Sequence, residues 1–203
     1  MTARYEIIDC EQGSPEWFEA RRGLTTASRF SDVLAEGKLI MRGKYMRQLA
    51  GEIITEEVME TYSNDKMDRG KKHEPDLRAR YQFDHDVNVD KIGFIKMNPS
   101  LYRIGCSPDG FVGEKGMVEF KSTEPHLLIE ILETGKVPNH LPQVQGNLWI
   151  TGRLWCDLVI GWPKLPLSIT HITRDEGYIA NLQHHIRVFN AELDAMVGRT
   201  RGR

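Results

Sequence analysis

The sequence predicts a mixed α/β (α+β) fold, a central mixed sheet flanked by helices, in a single domain spanning residues 1–203. Three observations carry this. Apolar residues recur at helical spacing up to Phe83. The period then shortens towards alternation between Val87 and Lys121. Two more helical patterns follow, then two strand-like runs and a long amphipathic helix. Strands and helices interleaved in this way need a sheet that the helices cover. A chain of 203 residues can bury most of its apolar surface without disulfides or structural metals. The helical part is expected over about 14–84 and the sheet core over about 87–174.

Each element has a local reason. Ser14 caps a helix that starts at Pro15, carries Trp17, Phe18 and Ala20, and stops near Gly23. Thr26 caps a second short helix through Phe30, Val33 and Leu34. Tyr45 to Thr61 places Leu49, Ile53 and Val58 at helical spacing, and Lys66 to Phe83 does the same with Leu77 and Tyr81. Val87 to Met97 and Leu101 to Cys106 read as strands around the Asn98-Pro99-Ser100 turn. Asp109-Gly110 begins another bend before a third strand, Met117 to Lys121. Helices follow over about Glu124–Thr134 and Pro138–Thr151, strands over Leu154–Trp162 and Leu167–Thr173. The last helix, about Asp175–Val197, aligns Ile179, Leu182, Ile186, Phe189, Leu193 and Met196 on one stripe.

Composition excludes several classes. No apolar run approaches the length of a membrane span, and the first residues lack the apolar core of a signal peptide, so a cytoplasmic protein is expected. Three widely spaced cysteines, Cys10, Cys106 and Cys156, do not make a disulfide framework, a zinc site or an iron–sulfur cluster. Net charge is −2, so any nucleic-acid affinity must come from distribution. Lys38, Arg42, Lys44 and Arg47 form one basic stretch. Arg69, Lys71 and Lys72 form another, and Arg199, Arg201 and Arg203 a third. Together they give either one positive face or solvated helix surfaces.

The third strand carries the chemistry. Glu119 and Lys121 lie two apart and so project from the same face. They form either an internal ion pair or solvated face, or else a metal site with an adjacent cation. Asp109, at the end of the preceding strand, favours the second, because an antiparallel return brings it beside Glu119. Two hard carboxylates suit magnesium, which prefers oxygen ligands and retains waters. Such an ion can activate water and stabilise the charge that builds on a phosphodiester. Lys121 can hold or deprotonate that water.

Cys106-Ser107-Pro108-Asp109-Gly110 followed by Glu119-Phe120-Lys121 resembles the PD-(D/E)xK nuclease signature. More specifically, the chain resembles the phage lambda-type alkaline exonucleases, the YqaJ-like viral recombinase family. Four more segments match in order. They are Trp17 to Ser28, then Arg69-Gly70-Lys71-Lys72-His73-Glu74, then Pro142-Gln143-Val144-Gln145 with Trp149, and the aromatic strand ending at Trp162 with the long helix after it. The likeness runs through nearly the whole chain from about Gly13.

This resemblance implies a restriction-endonuclease-like core. It implies a magnesium-dependent enzyme that digests the 5′-terminated strand of linear double-stranded DNA to mononucleotides and leaves 3′ overhangs for recombination. Two magnesium ions per active site are implied, with manganese able to substitute. So are a homotrimeric ring threaded by DNA, a single-strand annealing partner (Bet/RecT-like) and a phage or prophage origin. Asp109 and Glu119 carry over as metal ligands with the Phe120 carbonyl, Lys121 as the water-activating group and Glu74 as an acid near the second metal. Arg21, Thr26, Ser28 and Ser107 carry over as a pocket for the terminal 5′-phosphate, and Gln143 as an active-site contact. One departure stands out. The lambda-type pattern has an arginine a few residues beyond the lysine, whereas residues 122–128 hold none and offer only His126. A restriction-like or structure-specific endonuclease with the same triad, and a non-catalytic DNA-binding module, are the alternative readings.

Overall fold

The computed structural model describes residues 4–34, 39–59 and 65–202. Lys38, Glu60, Thr61 and Arg203 lie outside them, as does the side chain of Lys71. Strand β1 (Tyr5–Ile8) precedes helix α1 (Pro15–Arg21). Ser14 caps α1 by accepting a hydrogen bond from the Trp17 N–H at 3.2 Å. A two-residue strand β2 (Thr25–Thr26) leads through a 3-10 turn (Ala27–Arg29) into α2 (Phe30–Leu34). Then come α3 (Leu39–Thr55), α4 (Asp65–His85), β3 (Phe94–Met97), β4 (Ile104–Cys106), β5 (Gly110–Val112) and β6 (Gly116–Ser122). Helices α5 (Pro125–Thr134) and α6 (Leu141–Thr151) separate β6 from β7 (Trp155–Gly161). Strand β8 (Ser168–Thr173) and α7 (Glu176–Arg201) close the chain.

The fold is the expected mixture of helices and mixed sheet, but the strands form two sheets rather than one. The first has the order β1-β3-β4-β2, the second β5-β6-β7-β8. Strands β6 and β7 are parallel and joined through α5 and α6, and β5 and β8 flank them antiparallel. The division corrects the expected route from Asp109 to Glu119. Strand β4 belongs to the other sheet. The antiparallel partner of β6 is β5, which begins immediately after Asp109 and pairs Gly110 with Val118. A three-residue strand reads as a bend because it is too short to show alternation. Strand β1 escapes for a related reason: it runs along a sheet edge, where only Tyr5 and Ile8 are partly buried. The helix expected from Tyr45 instead spans Leu39–Thr55.

One core links the helices to both sheets. It includes Phe30, Tyr45, Leu49, Ile95, Ile104, Met117 and Leu148. The α7 stripe enters this core through Ile179, Leu182, Ile186, Phe189 and Leu193, with Val197 more deeply buried than Met196. Helix α4 covers the opposite side of the second sheet, packing Leu77 and Tyr81 against Val118, Phe120 and Val159. Helix α6 is buried along most of its length. It approaches the 3-10 turn so closely that a Cβ on Gly146 would stand 2.6 Å from the Phe30 ring and 3.2 Å from the Ala27 Cβ.

Gly146→Ala should therefore overpack this contact and destabilise the protein by about 1–3 kcal/mol. The check is a lower urea midpoint at unchanged m-value; an unaltered midpoint would mean that α6 can move aside without cost.

Candidate active site

Glu119 sits in the middle of interior strand β6 and is only 2% exposed. A buried carboxylate requires partners, and three supply them. Lys121 Nζ lies 2.7 Å from Oε1. The Gln143 amide also donates to Oε1. The Asn147 amide donates to Oε2 at 3.2 Å. Gln143 and Asn147 are one helical turn apart on α6, so both reach β6 from the same face. Gln145, between them, faces elsewhere. It donates to the Thr173 carbonyl and accepts from the Asp175 N–H, clamping α6 to the start of α7.

Asp109 faces this cluster from the start of the β5–β6 hairpin, where its Oδ2 accepts the Phe120 N–H at 2.6 Å. Burial, then the charge of Glu119, push its carboxyl well above the usual carboxylate range. Lys121 opposes the shift and Glu74 adds to it. Burial pulls the Lys121 ammonium down, but Glu119 and Asp109 together outweigh it and hold it above the ordinary lysine value. Glu74, on α4, is engaged by Arg78 at 2.7 Å. The same Arg78 nitrogen donates to the Asp109 carbonyl at 2.7 Å. Arg78 and Asn147 were not anticipated. Their only signal is the four-residue spacing from Glu74 and Gln143, respectively.

These groups fit a divalent cation. Among the described residues no three acidic, histidine or cysteine side chains cluster tightly enough to hold an ion alone. Magnesium needs fewer, because it keeps much of its water. The donor set on offer is Asp109, Glu119 and the Phe120 carbonyl. Glu74 adds negative charge nearby.

The predicted phosphate residues assemble beside the carboxylates. Arg21 stacks on the Trp17 ring, 4.1 Å from its centroid, and donates to Thr26 Oγ1 at 3.3 Å. Burial lowers its guanidinium pKa. Thr26 Oγ1 lies 3.4 Å from Ser28 Oγ. The Trp17 indole donates to Ser107 Oγ at 2.8 Å. Thr26 does precede the turn, but its side chain does not cap it; its N–H is held by the Tyr45 hydroxyl at 3.1 Å. The hydroxyl is thus left to the pocket. Arg21, Thr26, Ser28 and Ser107 line one cleft of about 710 Å³ together with Asp109, Glu119, Gln143 and Asn147. Glu74 and Lys121 line neighbouring cavities instead. Of the basic stretch on α3, Lys44 reaches the cleft and Arg42 is paired with Glu192. His126 lies exposed beside Glu124, 3.8 Å away.

A buried carboxylate pair with an adjacent lysine on a hairpin of a mixed sheet, the two acids opening into one cleft with Arg21 and three hydroxyls, is the arrangement of a nuclease of the restriction-endonuclease-like fold. The comparisons make this specific. The model of the YqaJ-like viral recombinase domain matches residues 16–154, and the chain belongs to that family. Its structure is similar to the alkaline exonuclease LHK-Exo from Laribacter hongkongensis, with 35% identity over 93% of this chain and 96% of that one and a TM-score of 0.83. The complex of LHK-Exo with dAMP gives a TM-score of 0.84 at 36% identity and the same coverage. A phage related exonuclease from Haemophilus somnus 129PT shares the fold, with 11% identity over 87% of this chain and 96% of that one and a TM-score of 0.67. No curated protein matches the chain.

The raised Asp109 carboxyl has a consequence for stability. A carboxyl whose folded pKa exceeds its unfolded value favours folding when protonated, and that contribution is lost as pH rises through the folded pKa. Asp109→Asn should therefore raise the melting temperature of metal-free protein near neutral pH by several degrees. The gain should shrink in acid, where the wild-type carboxyl is itself protonated. A lower melting temperature for Asp109→Asn in chelator would refute the electrostatic account.

Proposed function

We propose that this chain is a magnesium-dependent 5′-to-3′ exonuclease that digests one strand of linear double-stranded DNA to mononucleotides, leaving 3′ overhangs for recombination by strand annealing. The observation that carries the reading is the shared cleft. Asp109 and Glu119 open into the same space as Arg21, Thr26, Ser28 and Ser107. An endonuclease has no need of an anion pocket for a chain end next to its metal ligands. An enzyme that starts from a 5′-phosphate does.

Each residue then has a task. Arg21 grips the terminal phosphate through its planar fork, and the hydroxyls of Thr26, Ser28 and Ser107 complete the anion's coordination. Stacking on Trp17 fixes the guanidinium before substrate arrives. Magnesium, when bound by Asp109, Glu119 and the Phe120 carbonyl, activates a water and stabilises charge on the phosphodiester. Lys121, kept protonated by Glu119 and Asp109, would hold the attacking water and neutralise charge on the phosphate. Gln143 and Asn147 orient Glu119. Arg78 ties Glu74 to the Asp109 main chain, keeping both acids in place. A 5′-phosphate held by Arg21 in the cleft that Asp109 and Glu119 also line would set the register of cleavage. The neighbour LHK-Exo with bound dAMP, a deoxynucleoside monophosphate, supports a mononucleotide product. Two ions per site, manganese substitution, a homotrimeric ring, a single-strand annealing partner and a cytoplasmic phage or prophage setting belong to the same reading. Among the described residues no helix is long and apolar enough to cross a membrane.

The test is digestion of linear duplexes labelled separately at the 5′ and 3′ ends, with and without magnesium. Early release of 5′-labelled mononucleotide supports the proposal, and release from the 3′ end or internal cutting of closed circles sinks it. Asp109→Ala, Glu119→Ala and Lys121→Ala should each abolish cleavage, and double variants should be little worse than single ones. Calcium should support DNA binding better than cleavage. Arg21→Ala should slow digestion and erase the preference for a 5′-phosphorylated over a 5′-hydroxyl end. If the preference survives, Arg21 is not the phosphate ligand. Sedimentation of the active enzyme as a stable monomer would remove the ring.

A further inference from the structure

A second cavity, of about 380 Å³, lies past the C-terminal end of β6, between α4 and the start of α6. Lys121, Ser122, His140, Gly70 and Glu74 line it, and none of the phosphate-pocket residues does. The main cleft, conversely, includes neither Lys121 nor His140. The two spaces adjoin through the Glu119–Lys121 pair, since Glu119 lines the cleft and Lys121 the second cavity, so a strand with a phosphate at Asp109 and Glu119 reaches this cavity if it continues past Lys121.

The cavity wall carries several polar groups. Lys121, paired with Glu119 at 2.7 Å, is one of them. Ser122 Oγ is 2.8 Å from His73 Nδ1, whose ring packs edge-on against Trp162. The hydroxyl is thereby fixed, and in the tautomer in which His73 Nδ1 carries the proton its own O–H is left to donate into the cavity. His140 occupies the N-cap position of α6, where the partial positive charge of the helix end is concentrated. Its side chain caps nothing. Gly70 leaves the space beside α4 empty, since a Cβ there would meet nothing within 4 Å. Glu74, the one acid on the wall, is neutralised by Arg78.

We propose that this cavity is the subsite for the phosphodiester that follows the scissile one, bound by the His140 imidazole and the Ser122 hydroxyl beside Lys121. The assignment rests on the exonuclease reading above. It also answers the missing arginine: residues 122–128 hold none, and α4 and α6 bring other donors to that side of the lysine. Burial, with Lys121 adding to it, pushes the His140 imidazole down to about 4, so at working pH it contributes a neutral N–H donor.

The experiment pairs protein and substrate changes. Two 5′-phosphorylated duplexes are compared in single-turnover digestion with magnesium. They differ only in a neutral methylphosphonate at the linkage after the scissile one. Wild-type protein should cleave the neutral-linkage duplex about tenfold more slowly, as expected for loss of hydrogen bonds to a charged group. His140→Ala should slow cleavage of the ordinary duplex by a similar factor, and should lose most of the penalty for the neutral linkage. Ser122→Ala provides the same comparison without touching the α6 N-terminus, should His140→Ala fold poorly. Equal wild-type rates on the two duplexes, or a full penalty retained in both variants, would overturn the subsite while leaving the exonuclease reading intact. Failure of wild-type protein to cleave the ordinary duplex would overturn both.

Discussion

A carboxylate with almost no access to water, set in an interior strand, is the constraint around which the second sheet is arranged. Glu119 cannot remain there unpartnered, and its partners come from its own strand and from α6. That requires α6 to lie flat across the sheets, which in turn requires Gly146 where the helix meets Phe30. The helix returns the chain to β7, the parallel neighbour of β6. The packing that seals the core and the polar contacts that orient the acid are thus two faces of one helix.

Repulsion between acids explains much of the remaining geometry. Asp109 and Glu119 are brought together by a hairpin whose backbone pairing tolerates their proximity. Lys121 and Arg78 moderate the field without cancelling it. Arg78 is buried over the Phe120 ring, and its second terminal nitrogen has no hydrogen-bond partner. The molecule tolerates such a buried cation because it links two acidic residues through one nitrogen. A divalent ion would relieve the strain that these groups only distribute.

The candidate site is legible where the sequence is periodic. Glu119 and Lys121 share a face because strands alternate, and Ser14 and Pro15 mark a helix start by their own stereochemistry. The α7 stripe follows from a period sustained over many turns. What stayed hidden depends on tertiary contact. Strand β5 is too short to alternate, and the division into two sheets appears only when β4 turns to pair with β2 and β3. Gln145 and Asn147 are equally polar in the sequence. Only the orientation of α6 makes the first a clamp and the second a partner of Glu119. Arg78 looks like any surface arginine of a charged helix until the hairpin closes over it.

Helix α1 contributes no fully buried residue. It is held by its N-terminal cap, by Trp17 bonded to Ser107, and by Arg21 lying on that indole. Its free energy of local opening is therefore set by a few polar and ring contacts, not by the core, and lies below that of global unfolding. Helix α1, one wall of the cleft, is thus tied to the rest by fewer buried side chains than α6 or α7. Amide protons of α1 should exchange through that local opening, and an anion bound at Arg21 would slow them while leaving α6 and α7 untouched.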